Sequence, residues 1–268
     1  MNQTTANLKM SISAPIKNLV AGKLHVNVYE TRSLMGAAAA KQVAEKIQEL
    51  QSSGQGFVNI IFAAAPSQNE FLENLSKEQG IDWKKVNAFH MDEYVGIDHS
   101  SPRSFASFLK ERIFHKLPAD QVHYINGSAE DADAECARYA NLLKEHPIDI
   151  VCMGIGENTH IAFNDPHTAD FNDPVFVKTV SLDQVSRQQQ VHDGCFPVID
   201  DVPTTAITLT VPALISAKWI FCMVPGQNKA LAVYRTIYFE ESAKYPSTSL
   251  RNHPNAILYL DRDSALKI

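Results

Sequence analysis

The stretch Ile148-Asp-Ile-Val-Cys-Met-Gly-Ile-Gly-Glu-Asn-Thr-His-Ile-Ala-Phe-Asn-Asp-Pro166 joins an apolar run to a polar turn. Ile148 to Met153 has the length and apolarity of a buried strand, and Gly154 and Gly156 loosen the turn that follows. The turn then presents Glu157, Asn158, His160, Asn164 and Asp165 within a few residues of one another. In parallel α/β sheets the carboxyl ends of the strands open into the crevice where ligands bind. A buried strand emptying into such a turn therefore reads as one strand of that kind of sheet, with a candidate active-site loop at its end.

Working outward, apolar runs of strand length recur at Leu24 to Tyr29, Phe57 to Ala63, Val86 to Met91, Val122 to Ile125, Val175 to Val180, Ala206 to Val211, Trp219 to Val224 and Ala256 to Leu260. Helical periodicity fits Thr31 to Gln51, Ser104 to Lys116, Asp131 to Glu145 and Gln227 to Glu240. Strand and helix in alternation predict an α/β fold: a single domain with a mostly parallel, Rossmann-like sheet covered by helices on both faces. Residues 24–268 are expected to form that domain and residues 1–23 an N-terminal arm. The polar segment Asp165 to Pro174 is expected to be a mobile loop and a candidate lid.

Composition narrows the partners. With 268 residues and 45% hydrophobic side chains, the chain can bury a sizeable core. A formal net charge of -6 gives no global attraction to nucleic acid or to an anionic membrane, so neither is expected as a partner. The four cysteines are widely spaced and form neither a disulfide framework nor a Cys-x-x-Cys metal pair, which suits buried thiols in a reducing compartment. No stretch approaches the ~20 apolar residues of a membrane span, and the N-terminus lacks the apolar core of a signal peptide. A cytoplasmic protein is expected.

Four strand ends carry chemistry. After Phe57 to Ala63 comes Ala64-Ala-Pro-Ser-Gln-Asn-Glu70, where Ser67 and Glu70 have capping-box spacing. The helix start could hold a phosphate or be simply a capped helix. After Val86 to Met91 come Asp92 and Glu93, adjacent carboxylates that an extended backbone turns to opposite sides, so at most one faces the crevice. Asp92 is a candidate proton-transfer group or a turn former. In the opening loop His160 suits proton transfer near neutral pH, with Asn158 and Asp165 placed to orient it, although a lone histidine is more often structural. His-x4-Asp is a poor metal signature, and no metal is assigned. After Trp219 to Val224, Lys229 sits in the first turn of a helix, where a cation opposes the macrodipole and so suggests an external anion or a solvated side chain.

Taken in order, His90-Met-Asp-Glu-Tyr-Val-Gly96, His160-Ile-Ala-Phe-Asn-Asp-Pro166 and Gly226-Gln-Asn-Lys-Ala-Leu231 resemble the glucosamine-6-phosphate deaminase family. The resemblance continues through Asp201-Val-Pro203, Ala206 to Leu214 and His253-Pro-Asn-Ala256, and so covers nearly the whole chain from Leu24. The wider superfamily includes 6-phosphogluconolactonases, which typically carry His-Thr-Ala-Ser where this chain has His160-Ile-Ala-Phe-Asn164. The resemblance implies a hydrolase-classed isomerase of amino sugar metabolism that acts on a small-molecule sugar phosphate, needs no cofactor and forms a homo-oligomer. It implies that His160 opens the sugar ring, Asp92 moves the proton from C2 to C1, and Lys229 takes the phosphate with Ser67 behind it.

The departures are as specific as the matches. The family usually has Asp where this chain has Asn158, and Glu where it has Asp165. An amide orients an imidazole but does not stabilise its cation by charge, a change that costs orders of magnitude in other carboxylate and histidine pairs. The family's Gly-Gly-Thr turn is Ala65-Pro66-Ser67 here, which removes a backbone donor. Its phosphate-binding arginine falls near Gln190, and Arg187, one helical turn earlier, is the expected substitute. A lactonase-like hydrolase and a catalytically impaired sugar-phosphate-binding regulatory protein are the alternatives.

Overall fold

The computed structural model describes residues 14–54, 56–98 and 100–268. Its centre is the opening stretch. Strand β7 (Ile150–Met153) is fully buried and pairs in parallel with β3 (Val58–Phe62) on one side and β10 (Trp219–Val224) on the other. Every residue of β3 and β7 is buried, as a strand covered on both faces requires. From β3 the sheet continues through β4 (Val86–His90) to a short β6 (Val122–His123). From β10 it continues through β11 (Ala256–Asp261) and β2 (Leu24–Tyr29) to β1 (Lys17–Ala21). All pairings are parallel except β1 with β2. The winding changes direction between β3 and β7, and such a switch point leaves a crevice at the strand ends.

Helix α1 (Arg32–Ser52) crosses one face of the sheet, its start capped by the Thr31 hydroxyl, which accepts from Leu34 N at 3.2 Å. Its buried Ala38, Ala39 and Ala40 let the helix lie close to the sheet. Gly36 allows α2 (Asn69–Leu75) equally close, because a Cβ there would fall 2.6 Å from the Glu70 Cβ. The other face is covered partly by α4 (Ala132–Glu145) and α7 (Ala230–Tyr238), giving the two-sided core that strand and helix alternation predicts.

Three expectations are corrected. First, Val175 to Val180 and Ala206 to Val211 do not join the main sheet. They supply β8 (Val177–Ser181) and β9 (Thr205–Leu209) of a separate antiparallel sheet, completed by β5 (Asp92–Tyr94). Apolar runs report burial but not which sheet buries them. Second, Lys17–Ala21, expected within an arm, forms an edge strand; much of the remaining arm, residues 1–13, lies outside the described residues. Third, the segment from Asp165 is tied down rather than loose. Thr168 and Ala169 N–H both donate to the Asp165 carbonyl at 2.8 Å, and Lys178 Nζ, at 2.7 Å from each, bonds the Thr168 carbonyl and Asp173 carboxylate. The four thiols are unpaired. Among the described residues no helix is long and apolar enough to cross a membrane.

Candidate active site

The ends of β3, β4, β7 and β10 surround an open cleft with room for water over about 60 Å³. Its walls include Ser67, Gln68, Asp92, His160, Gln190 and Lys229, so the structure brings together four of the expected groups. Asn158 and Asp165 lie directly behind His160. Arg187 does not face the cleft.

Asp92 is positioned by a change of sheet. The chain leaves the parallel sheet at His90 and enters the antiparallel one at Asp92, where the backbone pairs with Thr208 of β9. The Tyr139 hydroxyl pins the exit, accepting from His90 N at 3.0 Å. His90 is buried and its Nε2 accepts from Ile125 N at 2.7 Å; burial pushes its pKa down to about 3, so it is neutral and structural. Alternation then sends Asp92 into the cleft and Glu93 away from it. Glu93 accepts from the N–H groups of Phe105 at 3.2 Å and Ala106 at 3.0 Å, capping α3 (Phe105–Arg112). Burial outweighs these bonds and pushes Glu93 up to about 7. Burial, reinforced by the adjacent Glu93, also raises Asp92 well above the usual carboxylate range.

His160 is held by the turn the glycines permit. A Cβ on Gly156 would fall 2.2 to 2.4 Å from three atoms of the imidazole, so the ring occupies the space that glycine leaves. Thr159 and Ala162, on either side, have φ of 75° and 48°, left-handed values that residues with side chains seldom adopt. Such strain is typical of functional sites. Three acceptors surround Nδ1: Asn158 Oδ1 at 2.8 Å, Ser186 Oγ at 2.8 Å and Asp165 Oδ1 at 3.1 Å.

The proton positions follow from the neighbours. Asn158 Nδ2 donates to Asp165 and Asp183, each at 2.9 Å, which directs Asn158 Oδ1 toward the imidazole. Because that oxygen only accepts, Nδ1 carries the proton and Nε2, without a partner among the described residues, keeps its lone pair. Ser186 donates to Asp165, and Asp183 caps α5 (Gln184–His192) by accepting from Ser186 N at 2.7 Å. Burial alone would raise the Asp165 carboxyl, but the bond and charge of His160 and the bonds from Asn158 and Ser186 hold it far below the usual carboxylate range. Position 158 offers only an amide, so the carboxylate beside Nδ1 is the one at position 165.

The residues expected to bind an anion are placed less as expected. Lys229 closes a 3-10 turn before α7 and is only 4% exposed, yet it makes no ion pair among the described residues. Burial lowers its pKa, while Asp193 and Glu157 nearby oppose that shift. Gly226 sets the turn at φ 97°, its N–H bonded to the Asp261 carboxylate at 3.0 Å. Ser67 lines the cleft but is no cap: the N-cap of α2 is Gln68, without a side-chain bond, and Glu70 pairs instead with Arg32 at 2.7 Å. Pro66 starts a 3-10 turn that shifts the helix start past Ser67. Arg187 is a correction: its guanidinium donates to the carbonyls of Ile199 at 2.7 Å and Val202 at 3.0 Å, tying α5 to the following turn. Counting one helical turn found a cation on the wrong side of the helix.

Sequence reasoning missed Ser186, Gln68 and Gly156 as site residues. Ser186 was legible only as the third residue after a capping Asp, and Gly156 only as a turn glycine. Nothing in the spacing placed Gln68 in the cleft. Among the described residues, Asp165, His167 and Asp183 could jointly approach a metal, their ligand atoms lying within 4.8 Å. Both carboxylates are already taken up by hydrogen bonds: Asp165 Oδ2 accepts from Asp183 N at 3.1 Å, and Asp183 from Asn158 and Ser186.

Residues 30–258 match the family model described as glucosamine-6-phosphate isomerases/6-phosphogluconolactonase. The chain belongs to this family. It is 36% identical over 228 residues to a glucosamine-6-phosphate deaminase of Listeria monocytogenes, covering 85% of this chain and 94% of that one. A glucosamine-6-phosphate deaminase of Bacillus cereus is 32% identical over 241 residues, covering 90% and 88%. Among solved structures, a monomeric glucosamine-6-phosphate deaminase superposes with a TM-score of 0.83 at 26% identity, covering 91% of this chain and 99% of its own. A 6-phosphogluconolactonase from Thermotoga maritima superposes at 0.73 with 17% identity, covering 89% and 100%, and shares the fold.

Proposed function

We propose that this family member is a glucosamine-6-phosphate deaminase: an aldose–ketose isomerase that consumes one water and releases ammonia. The observation that carries the reading is one cleft with the Asp92 carboxyl and the unpartnered His160 Nε2 in its walls and a buried, unpaired Lys229 to hold an anion. His160 Nε2 takes the proton of the C1 hydroxyl as the ring opens and returns it to the ring oxygen. Asp92 then removes the C2 proton and delivers it to C1 through an enolamine. The C2 imine so formed adds water and expels ammonia, leaving the 2-ketose phosphate. A carboxylate raised by burial is a stronger base than an exposed one, and the substrate's C2 ammonium beside it favours its ionised form.

Asp165 supports catalysis over a binding-only role, because it keeps a carboxylate beside Nδ1 although position 158 has none. Homo-oligomeric assembly, a cytoplasmic location and the formal label of hydrolase are further parts of the proposal. Sedimentation tests the first, and one structural neighbour is described as monomeric.

The purified protein should release ammonia from glucosamine 6-phosphate, and substrate deuterated at C2 should carry part of its label to C1 of the product. Asp92→Asn should lower kcat about 10²- to 10⁴-fold, the usual contribution of a positioned acid–base group. Rapid hydrolysis of 6-phosphogluconolactone without ammonia release would replace the proposal with the lactonase reading. Thermal stabilisation by the sugar phosphate without turnover would replace it with the binding-protein reading.

A further inference from the structure

Lys229 is the only lysine or arginine in the cleft wall among the described residues, because Arg187 is committed to carbonyls on the far side of α5. The rest of the anion end is neutral: the Ser67 hydroxyl and the side chains of Gln68 and Gln190. Gln68 is 1% exposed, and its Nε2 donates to Ser67 Oγ at 3.1 Å and to the Met223 carbonyl at 3.2 Å. Since a carbonyl can only accept, the amide cannot be turned the other way. Its Oε1 is therefore a fully buried acceptor without a partner. A buried acceptor of this kind costs about 1–3 kcal/mol until a donor reaches it.

A phosphate dianion has no donor to offer and one negative charge more than Lys229 neutralises. We propose that this subsite takes the phosphate monoester in its singly protonated, singly charged form, with Lys229 matching the charge and Gln68 Oε1 accepting the P–O–H. The Ser67 hydroxyl, whose oxygen already accepts from Gln68, donates to a second phosphate oxygen, and the Gln190 amide, 7% exposed and without a side-chain partner among the described residues, donates to the third. Asp193 and Glu157 add negative charge near Lys229 and disfavour the dianion further. The inference rests on the cleft being a sugar-phosphate site, but not on turnover there.

Binding of glucitol 6-phosphate, which cannot react, is compared by calorimetry with binding of glucitol 6-sulfate, a fixed monoanion without the P–O–H. Asp92 and His160 in the cleft wall, Asp193 and Glu157 near Lys229, His192 beside Glu157 and Asp261 bonded to Gly226 N act on both esters, so the ratio of the two Kd values isolates the phosphate proton. With a second phosphate pKa of about 6, loss of the monoanion should raise the phosphate-to-sulfate Kd ratio about thirty-fold between about pH 5 and about pH 7.5. Near pH 5 the phosphate ester should bind more tightly than the sulfate. Gln190→Arg, which adds a second cation, should flatten or reverse the pH dependence, and Gln68→Leu should weaken phosphate more than sulfate at the low end. A flat or falling ratio in the unmutated protein, or no binding of either ester, overturns the inference. Absence of ammonia release with the expected ratio intact overturns only the deaminase reading.

Discussion

Replacing Asp165 by Asn removes the only carboxylate within ion-pair distance of His160 among the described residues and leaves the shape of the pocket nearly unchanged. In the structure that carboxylate lies 3.1 Å from Nδ1, is fully buried, and also accepts from Asn158 and Ser186. A hydrogen bond to a charged group contributes about 1.5–3 kcal/mol. At 1.36 kcal/mol per decade, losing it from the state in which His160 holds an extra proton lowers kcat by about 10- to 150-fold. KM should change less than threefold, because Lys229 and Ser67 are untouched.

A compensating variant makes the argument specific. Asn158→Asp alone places a third carboxylate against Asp165 and Asp183, each 2.9 Å from the present amide nitrogen, and should destabilise the protein by like-charge repulsion. In the double variant Asn158→Asp with Asp165→Asn the charge returns to Nδ1 from the other side, and kcat should recover most of the loss. Steady-state ammonia release, read alongside thermal unfolding of the four proteins, separates the rate effect from the fold. If Asp165→Asn keeps kcat within twofold, or the double variant is no faster than Asp165→Asn, the assignment of His160's charge partner is wrong.

Gly156→Ala puts a methyl within 2.2 to 2.4 Å of the imidazole, so the ring must move; activity should fall at least a hundredfold while stability falls by about 1–3 kcal/mol, as overpacking does, measured by kcat and denaturant unfolding. Lys229→Met removes a buried charge without an ion pair, so the ligand-free protein should melt at a higher temperature while KM for the sugar phosphate rises by at least tenfold. Glu93 has a folded pKa near 7 against an unfolded value near 4.5, so the folded state holds its proton longer. Its contribution to stability should therefore be full below about pH 4.5 and lost as pH rises to about 7. Glu93→Gln should show a flatter stability profile across that window, and an unchanged slope in urea titrations would count against the burial argument.

The nine apolar runs, the helices between them and the groups Asp92, His160 and Lys229 were legible in the sequence because each depends on local pattern. A run of strand length such as Ile148 to Met153 has to be buried whatever surrounds it, and a glycine turn after it has to open at the sheet's edge. Lys229 could be suspected from its place in the first turn of a helix. Side-chain direction beyond one turn was not legible. Arg187 and Gln190 are three residues apart on α5, and their places in the fold separate a carbonyl tie from a cleft wall. The family resemblance marked Asn158 as the weak point because it compared positions one at a time.

By itself, then, the sequence determined an α/β sheet, the loops at its carboxyl edge and a set of residue types suited to proton transfer on an anionic sugar. Only the tertiary structure decided which groups share a space: β5, β8 and β9 as a second sheet that turns Asp92 into the cleft, Asp165 as the charge beside His160, and Gln68 with Lys229 in the walls of one cleft. The physical reason is range. Propensity and periodicity act over a few residues, whereas the bonds from Asn158 to Asp183, from Ser186 to Asp165 and from Gln68 to Met223 span 25, 21 and 155 positions. Such contacts exist only once the strands have assembled.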